Sequence, residues 1–461
     1  MEKMQEILNA AENCRRQVFE AERFLWQHPQ TGYTEWEANE YLIEKFEALG
    51  YTLVRADRDP AHGKIPGFYT DVDTELPGPT LCIMGELDAL DIAGHPESVN
   101  GMCHSCGHNA QGAVMLGIAT VLKQEPAVLQ GLCGKIRLML VPAEEMIQLA
   151  FRSELIRQGT VSYMGGKVEF LSRGYFDGVD LALMMHAAAN PDPVDFGCAK
   201  GNNGCMSKVI TYRGKAAHAG GAPHMGVNAQ YAATLGLQAC NDLRETFQEK
   251  DVVRFHPILK GAACAVNIIP DEMTVESYVR AANVEAMQRE NKKLNRALAG
   301  AAAAVGCELH IEDKPGYFPE YHDPAYMQLV EKVCEELVGK DRVSFNYGLW
   351  GAASSDFGDV TAVMPGIQLL CVGATGLAHG VDYQIADPER VMINGMKAEL
   401  LTAVQLLKDG AAAAKEIAAN YQPAFASISE YLAALQQLSM DRDVVEYTEN
   451  GDVVLHLSEK V

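Results

Sequence analysis

The sequence predicts an α/β protein: a doubly wound, mixed-sheet domain interrupted by an inserted ferredoxin-like α+β domain. Three observations predict it. The chain has 461 residues, more than one ordinary core holds, so two domains are expected. Short apolar strands alternate with helical patterns through residues 1–200, which suggests a sheet with helices on both faces. Residues 201–315 run β-α-β-β-α-β, the order of a ferredoxin-like unit.

Taken in order, residues 1–50 read as two helices. Ile7, Ala10, Ala11, Val18, Phe19, Ala21, Phe24 and Leu25 recur at helical spacing, His28-Pro29 interrupts, and the period resumes over Glu35–Leu49. Thr80–Met84, preceded by Pro79, is a short apolar strand; Asn109–Lys123 is a helix; Lys135–Val141 and Leu181–Met185 are buried strands. In the insert, strands are expected at Ser207–Tyr212, Val252–Ile258, Met273–Arg280 and Cys307–Glu312, with helices at Asn228–Asp242 and Val284–Val305. Gly201 and Pro315-Gly316 mark its edges and suit hinges. Residues 1–200 and 316–461 are therefore assigned to one domain and 201–315 to the other. Near the end, Ala411–Ala419 reads as helix, and Asn450-Gly451 marks a hairpin within Val444–Leu457.

Composition narrows the function classes. Apolar residues make up 48% and charged residues 21%, the balance of a soluble globular chain. A net charge of −23 repels phosphate backbones and anionic membranes, so neither a nucleic-acid nor a membrane role is expected. No run approaches the roughly 20 apolar residues of a membrane span. Residues 1–22 are dense in charge and lack an apolar signal core, and the 12 cysteines are mostly scattered singly. Both features point to the cytoplasm and to reduced thiols.

The chemistry-bearing residues lie in five glycine-flanked fragments. Gly85-Glu86-Leu87-Asp88-Ala89-Leu90 follows an apolar strand and reads either as a solvated loop or as part of an acidic site. In His104-Ser105-Cys106-Gly107-His108-Asn109, Cys106 and His108 stand two apart and can face one ion, a pairing that suits zinc and similar metals. A buried polar turn, or a Cys103/Cys106 redox pair, are the competing readings, with Cys103 otherwise a packing residue. Glu144 and Glu145 follow the strand Lys135–Val141 and repel one another unless a cation or proton intervenes. One can bind metal while the other acts as general base, or both can be solvated. His186 and His379 each follow an apolar run, as ligands or as satisfied polar groups. Together the fragments lie at strand ends or at a helix start and supply ligands for two divalent ions.

These fragments, in this order, resemble the M20 metallopeptidases, and within them the amidohydrolase branch, subfamily D. The resemblance runs from about His28 to Pro388, through WQHPQTGYTEWE, HSCGHNA, VPAEE, GKAAHAGGAPHMGVNA and NIIPDEM. That branch includes N-acyl-amino-acid hydrolases and aminobenzoyl-glutamate hydrolase subunits. The resemblance implies that Cys106, His108, Glu145, His186 and His379 are metal ligands, with the Cys106 thiolate shared between two ions of zinc or manganese. It implies that Glu144 is the general base toward metal-activated water, and that His218 reaches a neighbouring subunit's site to stabilise the oxyanion. Asn267 matches a position that binds the substrate carboxylate, with Arg280 assisting. The inserted domain is implied to be a dimerisation lid, making the chain a homodimer. Read from the residues alone, His218 and Arg280 are equally surface groups.

Three positions depart from the branch pattern. Met84-Gly85-Glu86-Leu87-Asp88 stands where Arg-x-Asp-x-Asp is common, Asn109 where Asp is common, and Ser354-Ser355-Asp356-Phe357 where a Ser-Glu-Asp-Phe pattern is common. The first two look closer to the aminobenzoyl-glutamate hydrolase B-type and β-alanyl-dipeptidase sub-branches. The expected substrate is a small N-acyl amino acid or, alternatively, a dipeptide. A metal-poor binding scaffold on the same fold is the reading from another class.

Overall fold

Four parallel strands form the centre of the larger unit: Lys135–Val141, Thr80–Glu86, Leu181–Ala189 and Gly366–Thr375, in that spatial order. Their sequences are nearly continuous apolar runs because both faces are covered. Antiparallel strands flank them, with Phe68–Asp73 beside Lys135–Val141 and Phe196–Asn202 beside Gly366–Thr375, so the sheet is mixed. The helix His108–Gln124 is buried from His108 to Leu122 and packs against the N-terminal helix Glu2–Gln27 and the strand Thr80–Glu86. This computed structural model describes residues 2–189, 193–261 and 265–457.

The smaller unit is an antiparallel sheet with two helices. Gly204–Arg213 lies between Glu272–Ala281 and Glu308–Tyr317, and Arg254–Phe255 and Ile258–Gly261 both pair with Glu272–Ala281. The helices Ala229–Asp242 and Val284–Val305 pack on this sheet and on each other. Each starts at an asparagine whose side chain accepts a backbone N–H, Asn228 from Tyr231 and Asn283 from Ala286. The order and pairing are those expected of a ferredoxin-like unit.

The structure differs from the sequence reading in three places. The smaller unit comprises Asn202–Glu320, Trp350–Ser354 and the tail from Ser429, whereas the sequence reading puts 429–461 in the larger domain. The physical reason is strand pairing: Met440–Tyr447 adds to the edge of Glu308–Tyr317, and Val453–Leu455 adds to Met440–Tyr447. The single strand expected over Val252–Ile258 is two short strands, because Pro257 has no N–H to donate at the break. His186 lies inside the strand Leu181–Ala189 rather than at its end.

Candidate metal centre

The four parallel strands deliver acidic and imidazole side chains at one end. Glu86 is the last residue of its strand, Glu144 and Glu145 follow Val141, His186 lies late in its strand, and His379 follows Thr375. That is the carboxyl edge, where open α/β sheets place their sites. Cys106 and His108 join them from the start of the helix His108–Gln124. Gly107 between them adopts φ +85°, and a Cβ there would come within 2.6 Å of the Tyr383 hydroxyl and 2.8 Å of the Ala187 Cβ. Only glycine makes this turn without strain or clash.

The ligand atoms form two trios that share a thiol. Cys106, His108 and His186 bring theirs within 4.8 Å of one another, and so do Cys106, Glu145 and His379. The Cys106 Sγ is 3.4 Å from His186 Nε2, and His379 Nε2 is 2.9 Å from Glu145 Oε1. His108 Nε2 and Glu145 Oε1 are buried, and their contacts with Glu86 Oε2 at 3.1 Å and His379 Nε2 at 2.9 Å are not aligned as hydrogen bonds. Buried polar atoms are normally satisfied, so this donor set of thiol, imidazole and carboxylate fits divalent metal. Backbone and carboxylate acceptors orient the rings. His108 Nδ1 donates to the Asp88 main-chain oxygen at 3.0 Å and to its Oδ1 at 3.1 Å, and His186 Nδ1 donates to the Ala187 carbonyl at 2.8 Å. The His186 Nε2 is left to face Cys106, and the His108 Nε2 to face Glu86 Oε2 at 3.1 Å. Asp88 acts twice, since its Oδ2 also accepts the Glu145 N–H at 2.8 Å.

A profile of peptidase family M20/M25/M40 matches residues 82–405 of this chain. The chain belongs to that family. The M20 chain is 29% identical over 388 residues to the Xaa-Arg dipeptidase of Mus musculus, covering 78% of each protein. It is 28% identical over 316 residues to a p-aminobenzoyl-glutamate hydrolase subunit of Escherichia coli, covering 65% of this chain and 59% of that one. A solved Bacillus subtilis structure, described as a dinuclear metal binding peptidase of the M20 family, shares the fold with a TM-score of 0.62 at 20% identity. It covers 86% of this chain and 99% of that one. The M20 chain is accordingly a metal-dependent hydrolase of amide or peptide bonds.

Electrostatics distinguish the groups of the candidate centre. Burial alone would raise the Cys106 thiol, yet the facing imidazoles of His186 and His108 hold it well below its usual range. Glu144 is pushed well above the ordinary carboxylate range, first by burial and then by Glu86, Glu145 and Asp356. A Glu144 carboxylate oxygen lies within 4.8 Å of ligand atoms of Glu86 and Asp356, and one lies as close to those of His108 and Glu145. The fully buried Lys167 ammonium bonds both Glu86 and Asp356, and Gln111 donates to Glu86 at 2.7 Å. Sequence reasoning misses Lys167, whose one signal is that of a lone cation among the largely apolar residues from Met164 to Leu171.

The remaining predicted residues belong to the smaller unit. His218 is exposed, and its Nδ1 accepts the N–H groups of Gly221 at 2.7 Å and Gly220 at 3.1 Å. A neutral ring so held carries its proton on Nε2 and presents a donor there. Asn267 is exposed beside it, its main-chain oxygen accepting the Ala219 N–H at 2.9 Å. Arg280 is half-buried on the strand Glu272–Ala281, its guanidinium 5.5 Å from the centroid of the Tyr278 ring.

Proposed function

We propose that this M20 enzyme hydrolyses the amide bond of an N-acyl or aminoacyl amino acid that carries a free carboxylate. The observation that carries the reading is the pair of ligand trios sharing Cys106, with Glu144 beside them. Cys106, His108 and His186 would hold one divalent ion, and Cys106, Glu145 and His379 the other, as zinc or manganese. Such ions polarise a carbonyl and make water acidic near neutral pH. Glu144, with its raised proton affinity, takes the proton of the attacking water and passes it to the leaving nitrogen. His218 of the partner subunit donates from Nε2 to the oxygen that becomes negative. Asn267 and Arg280 take the substrate carboxylate.

A homodimer formed through the smaller unit is part of this reading. The strand Ile258–Gly261 is exposed along its length, and Tyr231 and Leu235 of the helix Ala229–Asp242 are also exposed. Apolar edges of this kind support two-fold pairing. A cytoplasmic location is supported by the 11 free cysteines among the described residues. Among those residues no helix is long and apolar enough to cross a membrane. A dipeptide substrate is the second reading, favoured by the 78% coverage of the mouse Xaa-Arg dipeptidase.

The test is a panel of N-acyl amino acids, aminobenzoyl-glutamate and dipeptides including Xaa-Arg, assayed with zinc and with manganese. Elemental analysis is expected to find about two divalent ions per active chain, and chelation is expected to abolish turnover. Turnover by protein free of metal would overturn the reading.

A further inference from the structure

The segment that carries Glu144 is built on an unfavourable backbone. Ala143 has φ +57°, in the left-handed region that residues with a Cβ avoid, and Gln148 has φ +54°. Such a conformation persists only where its surroundings over-determine it. Two buried side chains from elsewhere in the larger unit do so. Glu35 is fully buried, and its Oε1 accepts the Ala143 N–H at 2.7 Å. Arg152 is 1% exposed, and it donates to the carbonyls of Ala143 at 3.3 Å, Met164 at 2.6 Å, and Glu145. Gly32 keeps this packing possible, since a Cβ on it would come within 2.1 Å of Arg152 Nη2 and 2.9 Å of the Ala143 Cα. Glu145 has its own anchor, the Asp88 carboxylate on its N–H. The residue on the N-terminal side of Glu144 is thus fixed by one carboxylate and the residue on its C-terminal side by another.

We propose that Glu35 and Arg152 are positioning residues that hold Ala143 in its left-handed turn and so aim the Glu144 carboxylate into the centre. This rests on the reading of Glu144 as general base. The clamp acts through hydrogen-bond geometry, so the Glu35 acceptor oxygen matters and its charge does not. Burial pushes the Glu35 carboxyl well up, followed by the nearby Asp88, so a neutral amide is a close replacement.

The experiment compares Glu35→Ala, which removes the acceptor, with Glu35→Gln, which keeps a carbonyl oxygen in its place. Glu35→Ala is expected to lower kcat on the order of 10²-fold, as small misplacements of a reacting group do, with KM and metal content unchanged. Glu35→Gln is expected to keep most of the parent kcat. Adding Ala143→Gly to Glu35→Ala is expected to recover about 10-fold, because glycine adopts the turn unaided. A crystal structure of Glu35→Ala is expected to show Ala143 relaxed to negative φ, a readout independent of the substrate chosen. Parent-like kcat in Glu35→Ala, Glu35→Gln as impaired as Glu35→Ala, no recovery on adding Ala143→Gly, or Ala143 unmoved in the crystal would each overturn the clamp. If Glu35→Ala does not fold, Arg152→Lys with and without Ala143→Gly makes the same comparison. Full activity of Glu144→Gln would instead sink the base assignment on which the proposal rests.

Discussion

Glu144 and Glu145 are adjacent and chemically identical, and their surroundings differ in a way that supports the different work proposed for them. Glu145 turns toward His379 and shares a trio with Cys106, while Glu144 groups with Glu86 and Asp356 as well as with His108 and Glu145. Glu144→Gln should therefore keep its metal and lose on the order of 10² to 10⁴ in kcat, the usual cost of removing a general base. Glu145→Gln should lose metal first, and activity should return in part as metal is added in excess. Elemental analysis beside steady-state kinetics decides it, and the opposite pattern would exchange the two roles. The five candidate ligand positions can be picked out in the sequence because each sits in a short fragment beside glycine or at the end of an apolar run, and the sheet then brings the fragments together. Lys167 and Arg152 are not. A lysine and an arginine on helical segments look like solvated charges, and their partners are remote: Lys167 meets Glu86 across 81 positions and Asp356 across 189.

At the scale of elements, the same contrast separates local from distant pairing. The hairpin around Asn450-Gly451 is written in a turn dipeptide and can be read directly. Its docking site cannot, because nothing local in Met440–Tyr447 says that it pairs with Glu308–Tyr317. The docked tail closes one edge of the smaller unit's sheet. His310 bridges the junction, with Nδ1 2.9 Å from Asp443 and Nε2 3.0 Å from Asp441. The preceding helix Ile428–Leu438 buries Tyr431, Leu435 and Leu438, and the Tyr431 ring meets Phe318 edge-on at 5.3 Å. Ending the chain after residue 428 would uncover both the strand edge and this apolar seat, and open strand edges recruit other chains. The truncated protein is expected to melt at least about 5 °C lower and to form larger species by light scattering, with its metal content intact. An unchanged Tm and size distribution would show that the tail contributes nothing to the sheet it joins.

The whole molecule poses a question of assembly: the five proposed ligand positions and the proposed base lie in one unit, while His218, Asn267 and Arg280 lie in the other. If His218 serves the centre of the partner subunit, each active site draws on two chains. His218→Ala should then lower kcat by about 10² to 10³, the usual cost of losing one oxyanion donor, and leave metal content unchanged. Mixing this variant with Glu144→Gln gives a sharper result than either alone. In a heterodimer, one site joins an intact Glu144 to the partner's intact His218, and the other site has neither. With random exchange half of the dimers are mixed and half of their sites are complete, so activity should return to about a quarter of the parent's. Each variant alone should stay near its own low rate under the same exchange conditions. Subunit exchange is checked independently, by mass spectrometry of differently tagged chains. Confirmed exchange without rescue would place His218 in its own subunit's site or outside catalysis, and a fully active monomer would remove the need for a partner altogether.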